Sequence, residues 1–117
     1  MTFFLEMKSG LFVMISAYET KHHTIPAAWV LVHFKDDAEC KNAFIFHIQV
    51  RENYRRKGYA TALVKLLQQK HQRIETDYML EILDSPSTQL LLKNGFKIVQ
   101  SYSKKNPVGK LVWEKNV

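Results

Sequence analysis

Between Val50 and Tyr59 the hydrophobic pattern of the chain changes period, across Arg51-Glu52-Asn53-Tyr54-Arg55-Arg56-Lys57-Gly58. Before this segment, Ala43 to Val50 is rich in β-branched and aromatic residues and reads as a strand. After it, Ala60, Leu63, Val64, Leu67 and His71 recur at three- and four-residue spacing, with Thr61, Lys65, Gln68 and Gln72 opposite. That spacing predicts an amphipathic helix of about three to four turns. A strand must therefore enter, and a helix leave, a short basic turn ending in glycine. Such a turn is an anion site: the first N–H groups of a helix lack internal partners, and its dipole adds roughly half a positive charge there. Gly58 and Ala60 remove bulk where backbone would approach a ligand, and Arg55, Arg56 and Lys57 surround the place with charge. Pyrophosphate is the guest this chemistry suits.

The rest of the chain reads as one continuous fold without repeats or linkers, and 117 residues suit a single domain spanning 1–117. Phe3 to Met7 and Leu11 to Tyr18 are strand-like runs around a turn at Ser9-Gly10, hence a hairpin. Ala27 to Phe34 reads as a buried strand, and Lys35 to Asn42 as a charged connection. Beyond the long helix, Tyr78 to Leu83 returns to strand, and Ser85-Pro86 opens a short helix with serine as cap and proline at its first position. Asn94-Gly95 ends that helix. Phe96 to Tyr102 and Lys110 to Glu114 close the sheet around a turn at Asn106-Pro107-Val108-Gly109. The order is four strands, helix, strand, helix, two strands. It predicts a mixed α/β, α+β layer with a largely antiparallel sheet.

The net charge of +6 is concentrated in two places. One is the turn just described, with Arg51, Arg55, Arg56 and Lys57 against Glu52; the other holds Lys104, Lys105, Lys110 and Lys115 against Glu114. Either patch suits a phosphate-bearing ligand or nucleic acid, but no aromatic-basic RNA motif accompanies the second. Apolar runs such as Ala27 to Val32 are far shorter than the roughly 20 residues that cross a bilayer. A single cysteine, Cys40, excludes an internal disulfide, and the sequence is expected to belong to the cytoplasm. The adjacent His22-His23 has no cysteine or acid at metal-ligand spacing, so no metal is expected.

Arg55-Arg56-Lys57-Gly58-Tyr59-Ala60 resembles the Arg/Gln-x-x-Gly-x-Gly/Ala signature of the GCN5-related N-acetyltransferases (GNAT). Gln89-Leu90-Leu91-Leu92-Lys93-Asn94-Gly95-Phe96 resembles the family's second hallmark, a short helix ending in Gly-Phe before a strand. The resemblance implies acetyl-CoA as cosubstrate. Its pantetheine arm would lie along Ile48, Gln49 and Val50. Its phosphates would meet Arg55, Arg56, Lys57, Gly58, Ala60 and Thr61, Tyr54 and Tyr59 would flank that loop where they can pack against adenine, and Asp84 would stand where many members carry Asn near the cofactor. The pair of helices that family members usually carry between the first two strands has no counterpart, because only Lys8-Ser9-Gly10 separates Met7 from Leu11. That loss implies either a wide acceptor site, suited to a macromolecule, or a pocket completed by another subunit as in a homodimer, since large apolar patches seldom stay exposed.

The implied reaction is direct attack by an amine, of a protein, peptide or other acceptor, on the thioester in a ternary complex. Keeping a lysine neutral near pH 7 costs roughly 4 to 5 kcal/mol, and an α-amino group about 1 to 1.5 kcal/mol, so a base matters more for lysine. His47 and Glu81 are the candidate catalytic residues, with Gln49 beside His47. Strict alternation groups His47 with Ile45 and Gln49, unless a bulge shifts the strand. Many family members place a tyrosine acid four residues before the Gly of Gly-Phe; here that residue is Leu91, leaving water, Ser85, Ser87 or Tyr102 for the task. The alternative is a non-catalytic module of the same fold that binds coenzyme A or a protein.

Overall fold

The computed structural model describes residues 2–21, 24–34, 42–79, 86–100 and 108–115. Strand β1 (Phe3–Ser9) and strand β2 (Phe12–Tyr18) form a hairpin whose last pair is Ser9 with Phe12. The turn is therefore Gly10-Leu11, one residue later than the sequence suggests. Gly10 has φ 61°, the left-handed value that a two-residue hairpin turn with glycine first requires. Strand β3 (Ala28–His33) pairs with β2 and strand β4 (Asn42–Val50) with β3, all antiparallel. Helix α1 (Tyr59–Lys70) follows, then strand β5 (Arg73–Met79), helix α2 (Pro86–Lys93), strand β6 (Lys97–Gln100) and strand β7 (Val108–Glu114). The strands form one seven-stranded sheet in the order β1-β2-β3-β4-β5-β7-β6, in which only the β4–β5 pair is parallel.

Alternation along β2 and β3 sends Val13, Ile15, Ala17, Ala28, Val30 and Val32 to one face, all essentially inaccessible. Helix α1 covers that face with Leu63, Val64 and Leu67, also fully buried. At about 1.5 to 3 kcal/mol for each large side chain taken from water, this layer supplies the main cohesion of the fold. Helix α2 adds Leu91 to the same cluster and ends as its sequence suggests. The Phe96 N–H bonds the Leu91 carbonyl at 3.1 Å and the Gly95 N–H that of Leu92 at 3.2 Å, with Gly95 at φ 91°. This is a Schellman end, with Leu91 and Phe96 both buried beside it.

Three expectations need correction. Strand β5 begins at Arg73, well before Tyr78, because the charges that make 73–77 look like a loop are paired across the sheet. Arg73 meets Glu114 and Glu75, and Lys110 meets Glu75 at 3.7 Å, while Ile74 and Thr76 turn inward. Val108 and Gly109 belong to β7, not to a turn. In β4 the register with β3 slips between Leu31 and Val32, so Leu31 stands opposite His47 and Val32 opposite Ile45. Phe46 is the extra residue of a bulge, and the alternation reverses there. Ile45 is buried on the helix side, Ile48 and Val50 pack on that same core, and His47 faces the other way.

The β4–β5 ladder covers only Asn42–Phe44 against Arg73–Glu75. Just past its end the Thr76 hydroxyl donates to the Ile45 carbonyl at 3.0 Å, a side-chain bond holding the strands where they part. Among the described residues no helix is long and apolar enough to cross a membrane. The substitution Thr76→Val, which leaves the Ile45 carbonyl without this donor, is expected to lower unfolding free energy by about 1 to 2 kcal/mol, read as a lower urea midpoint at unchanged slope.

Candidate functional site

Where β4 runs on alone past the ladder, it borders a groove of about 570 Å³. That size lies within the roughly 300 to 1,000 Å³ usual for small-molecule sites. Ile48, Gln49 and Val50 line one side, the segment Tyr54, Arg55, Arg56, Gly58, Tyr59, Ala60 and Thr61 lines the other, and Leu90 of α2 closes it. The far end is the start of α1. Gly58 is the N-cap, with φ 86° and no side chain to cap with, and the first N–H bonded within the helix is that of Ala62, on the Gly58 carbonyl at 3.0 Å. The N–H groups of the first turn thus have no partner inside the helix and border the groove. An ideal Cβ at Gly58 would meet no protein atom within 4 Å, so the space beside it belongs to the groove.

Arg56 is the one non-glycine residue with positive φ, 64°, among those described. A bulky side chain held there costs of order 1 kcal/mol or more, and such outliers gather at ligand-binding sites. Alternating left-handed residues turn successive N–H groups inward, which favours an anion.

The four basic residues of the turn have different assignments. The Arg51 N–H bonds the Ala27 carbonyl at 2.9 Å, its Nε donates to the Pro26 carbonyl at 2.7 Å, and its guanidinium lies 5.5 Å from the Trp29 ring. It anchors the end of β4 to the start of β3. Lys57 Nζ lies 5.5 Å from the ring of Tyr54, a residue of the groove lining. Attraction of an ammonium to an aromatic face accounts for that position. Arg55 and Arg56 line the groove directly.

Tyr54 and Tyr59 meet edge to face at 5.6 Å between ring centres. A hydrogen bond to Glu19, followed by burial, raises the Tyr54 pKa above the ordinary value of 10.0, and burial followed by the Glu19 charge raises that of Tyr59. Both rings stay neutral at the mouth of the groove.

His47 and Gln49 share the sheet face opposite the helices, with His47 Nε2 2.8 Å from Gln49 Oε1. The amide oxygen only accepts, so in this contact Nε2 is the donor. Glu81, Asp84, Ser85 and Tyr102, together with Cys40, His22 and His23, lie outside the described residues. Leu90 was not singled out by the sequence. Three successive leucines look alike until the end of α2 fixes its phase, which puts Leu91 in the core and Leu90 on the groove.

The splayed parallel pair, the glycine-led helix start and the Gly-Phe helix end define an acyltransferase fold. Residues 2–96 match the model of the Acetyltransferase (GNAT) family, and the chain belongs to that family. No curated protein sequence matches it. Among solved structures it is similar to Arabidopsis thaliana NAA60 in complex with acetyl-CoA, with 15% identity, TM-score 0.68, and 93% of this chain and 79% of that one covered. The ribosomal-protein-S18-alanine N-acetyltransferase from Escherichia coli aligns at 12% identity and TM-score 0.62, over 94% and 76% of the two chains. A chain of the NatC complex bound to Gag peptide and CoA aligns at 18% identity and TM-score 0.61, over 91% and 72%.

Glu19→Ala removes both the hydrogen-bond acceptor that chiefly raises the Tyr54 pKa and the charge that acts on both phenols. An ultraviolet titration is expected to show the Tyr54 phenol ionising closer to pH 10 than in the parent protein, with a smaller fall for Tyr59.

Proposed function

We propose that the chain is an N-acetyltransferase that carries an acetyl group from acetyl-CoA to the amine of a protein or peptide acceptor. The observation that carries this reading is the groove itself: an uncapped helix start with two backbone turns at positive φ and two arginines, continuous with a strand that has left its parallel neighbour. The fit to a dinucleotide-like thioester is chemical. The first-turn amides and Arg55 and Arg56 suit a pyrophosphate. The backbone of Ile48 to Val50 offers strand-type donors and acceptors to an amide-bearing arm. Acetyl-CoA bound there would supply an activated acyl carbon and a thiolate leaving group.

In this reading His47 Nδ1 takes the proton of the attacking amine on the sheet face away from the helices, and Gln49 holds the imidazole in the matching tautomer. The family match and the acetyl-CoA and peptide complexes of the structural neighbours support the donor and the acceptor class. Glu81 and Asp84 remain a second candidate base and a candidate coenzyme contact on the family resemblance alone. A cytoplasmic setting completes the proposal. Leu91, buried at 4% exposure, offers no hydroxyl to the leaving thiolate, which is the observation favouring a second reading, a module that binds coenzyme A without turnover.

Calorimetry with acetyl-CoA, followed by mass spectrometry of candidate peptides for a gain of about 42 Da, the mass of an added C2H2O unit, separates these readings; coenzyme binding without transfer favours the module. The substitution Gly58→Ala, which forces a Cβ into a left-handed turn facing the groove, is expected to cost about 1 to 2 kcal/mol in stability. It should also weaken coenzyme binding by roughly tenfold or more, and full retention of affinity would refute the cradle. His47→Ala is expected to lower kcat by about 10²-fold or more with coenzyme affinity unchanged, measured at saturating acceptor.

A further inference from the structure

Both helices pack on one face of the sheet, and on the other face the half built from β1 to β4 carries no helix; among the described residues the charged side chain placed on it is Arg51, whose guanidinium lies 5.5 Å from the Trp29 ring at one end. Leu5 and Met7 of β1, Phe12 and Met14 of β2, and Phe46 of β4 are 50%, 64%, 42%, 38% and 54% exposed. Phe46 falls on this side with Phe44 by alternation from the buried Ile45, and the bulge adds His47 to it. The Phe46 ring stacks on Phe12 at 5.7 Å, lies 6.0 Å from His33 and meets Phe44 edge-on at 5.1 Å. Trp29 and Leu31 of β3 fill the space between, half-buried. The result is a raised aromatic ridge in an otherwise flat apolar surface.

We propose that this face binds the same face of a second copy of the chain, sheet against sheet about a twofold axis. Three observations select this occupant. Four strands at about 4.8 Å spacing, each contributing roughly 20 Å of length, give about 400 Å² in projection and roughly 600 to 800 Å² of accessible surface once the side chains are counted. That approaches the roughly 800 Å² per partner of a standard stable interface. Apart from Arg51 at the Trp29 end, the patch is uncharged and can meet itself without burying an ion, whereas a charged partner would leave its ions unpaired on it. On the same sheet face, Arg73, Glu75, Lys110 and Glu114 of β5 and β7 pair with one another and, with Asp77, form a polar margin. A twofold contact then sets the Phe46 ridge of each copy into the shallow ground over β1 and β2 of the other.

The groove runs from the β4 edge to the N-terminal end of α1, and Gln49 is the lining residue that stands on the dimer face. The dimer brings the second copy alongside His47 and Gln49, the acceptor side in the proposed reaction. The proposal stands apart from the acetyl-transfer reading, and coenzyme titration reports on that reading separately.

Sedimentation equilibrium or light scattering on the full chain across 1 to 100 µM is the test. Twice the 13.7 kDa chain mass is the expected result, and it should persist to lower protein concentration as salt is added, since two copies of net charge +6 repel each other. Phe46→Glu, and independently Met7→Lys, should raise the dimer dissociation constant at least about 100-fold by placing a charge in the contact. An unchanged circular dichroism melt and unchanged acetyl-CoA affinity would show the variants folded. A single-chain mass at 100 µM overturns the proposal, and so does a dimer that survives both substitutions.

Discussion

The short ladder between β4 and β5 is the constraint from which the site follows. A parallel pair that continued would bury its backbone groups in strand hydrogen bonds and leave no opening. Here it stops after Phe44 and Glu75, and the Thr76 hydroxyl takes over at the Ile45 carbonyl. Immediately beyond, the Phe46 bulge reverses the alternation of β4. One extra residue thus has two effects: it turns Ile48 and Val50 toward the core and groove, and it leaves His47 on the opposite side. In the proposed reaction, the donor and acceptor sides are separated by the thickness of one strand.

The basic turn owes its use to a division of labour among like residues. Arg51 is committed to the fold and Lys57 lies over Tyr54, while Arg55 and Arg56 line the groove directly. The stronger contribution is geometric, since backbone amides fixed by Gly58 and the left-handed Arg56 need no reorganisation when an anion arrives.

Much of this was legible in the sequence where the signal is local. The period of α1, the strand-turn-helix around Gly58 and the Asn94-Gly95 helix end are each set by residues within a few positions of one another. Features set by distant partners were not. The charges at Arg73 and Glu75 look like a loop until Glu114 and Lys110 are placed beside them. The bulge is a mismatch in register between β3 and β4, with no local marker at Phe46. Leu90 could not be told from Leu91 because helix phase decides which of them sees the groove, and Arg51 looked like its neighbours because its partner, Pro26, lies 25 positions earlier.

The two-residue turn at Gly10-Leu11 makes β1 and β2 neighbours in both sequence and space, and β3 and β4 extend the same meander. Half of the sheet is thus assembled from contacts between adjacent segments, which close at small entropic cost, whereas β5 must wait for β7, whose paired residues lie 29 to 41 positions later in the chain. Folding should accordingly begin in the meander and finish when the C-terminal strand arrives, so that the opening between β4 and β5 gains its second wall in the last stage.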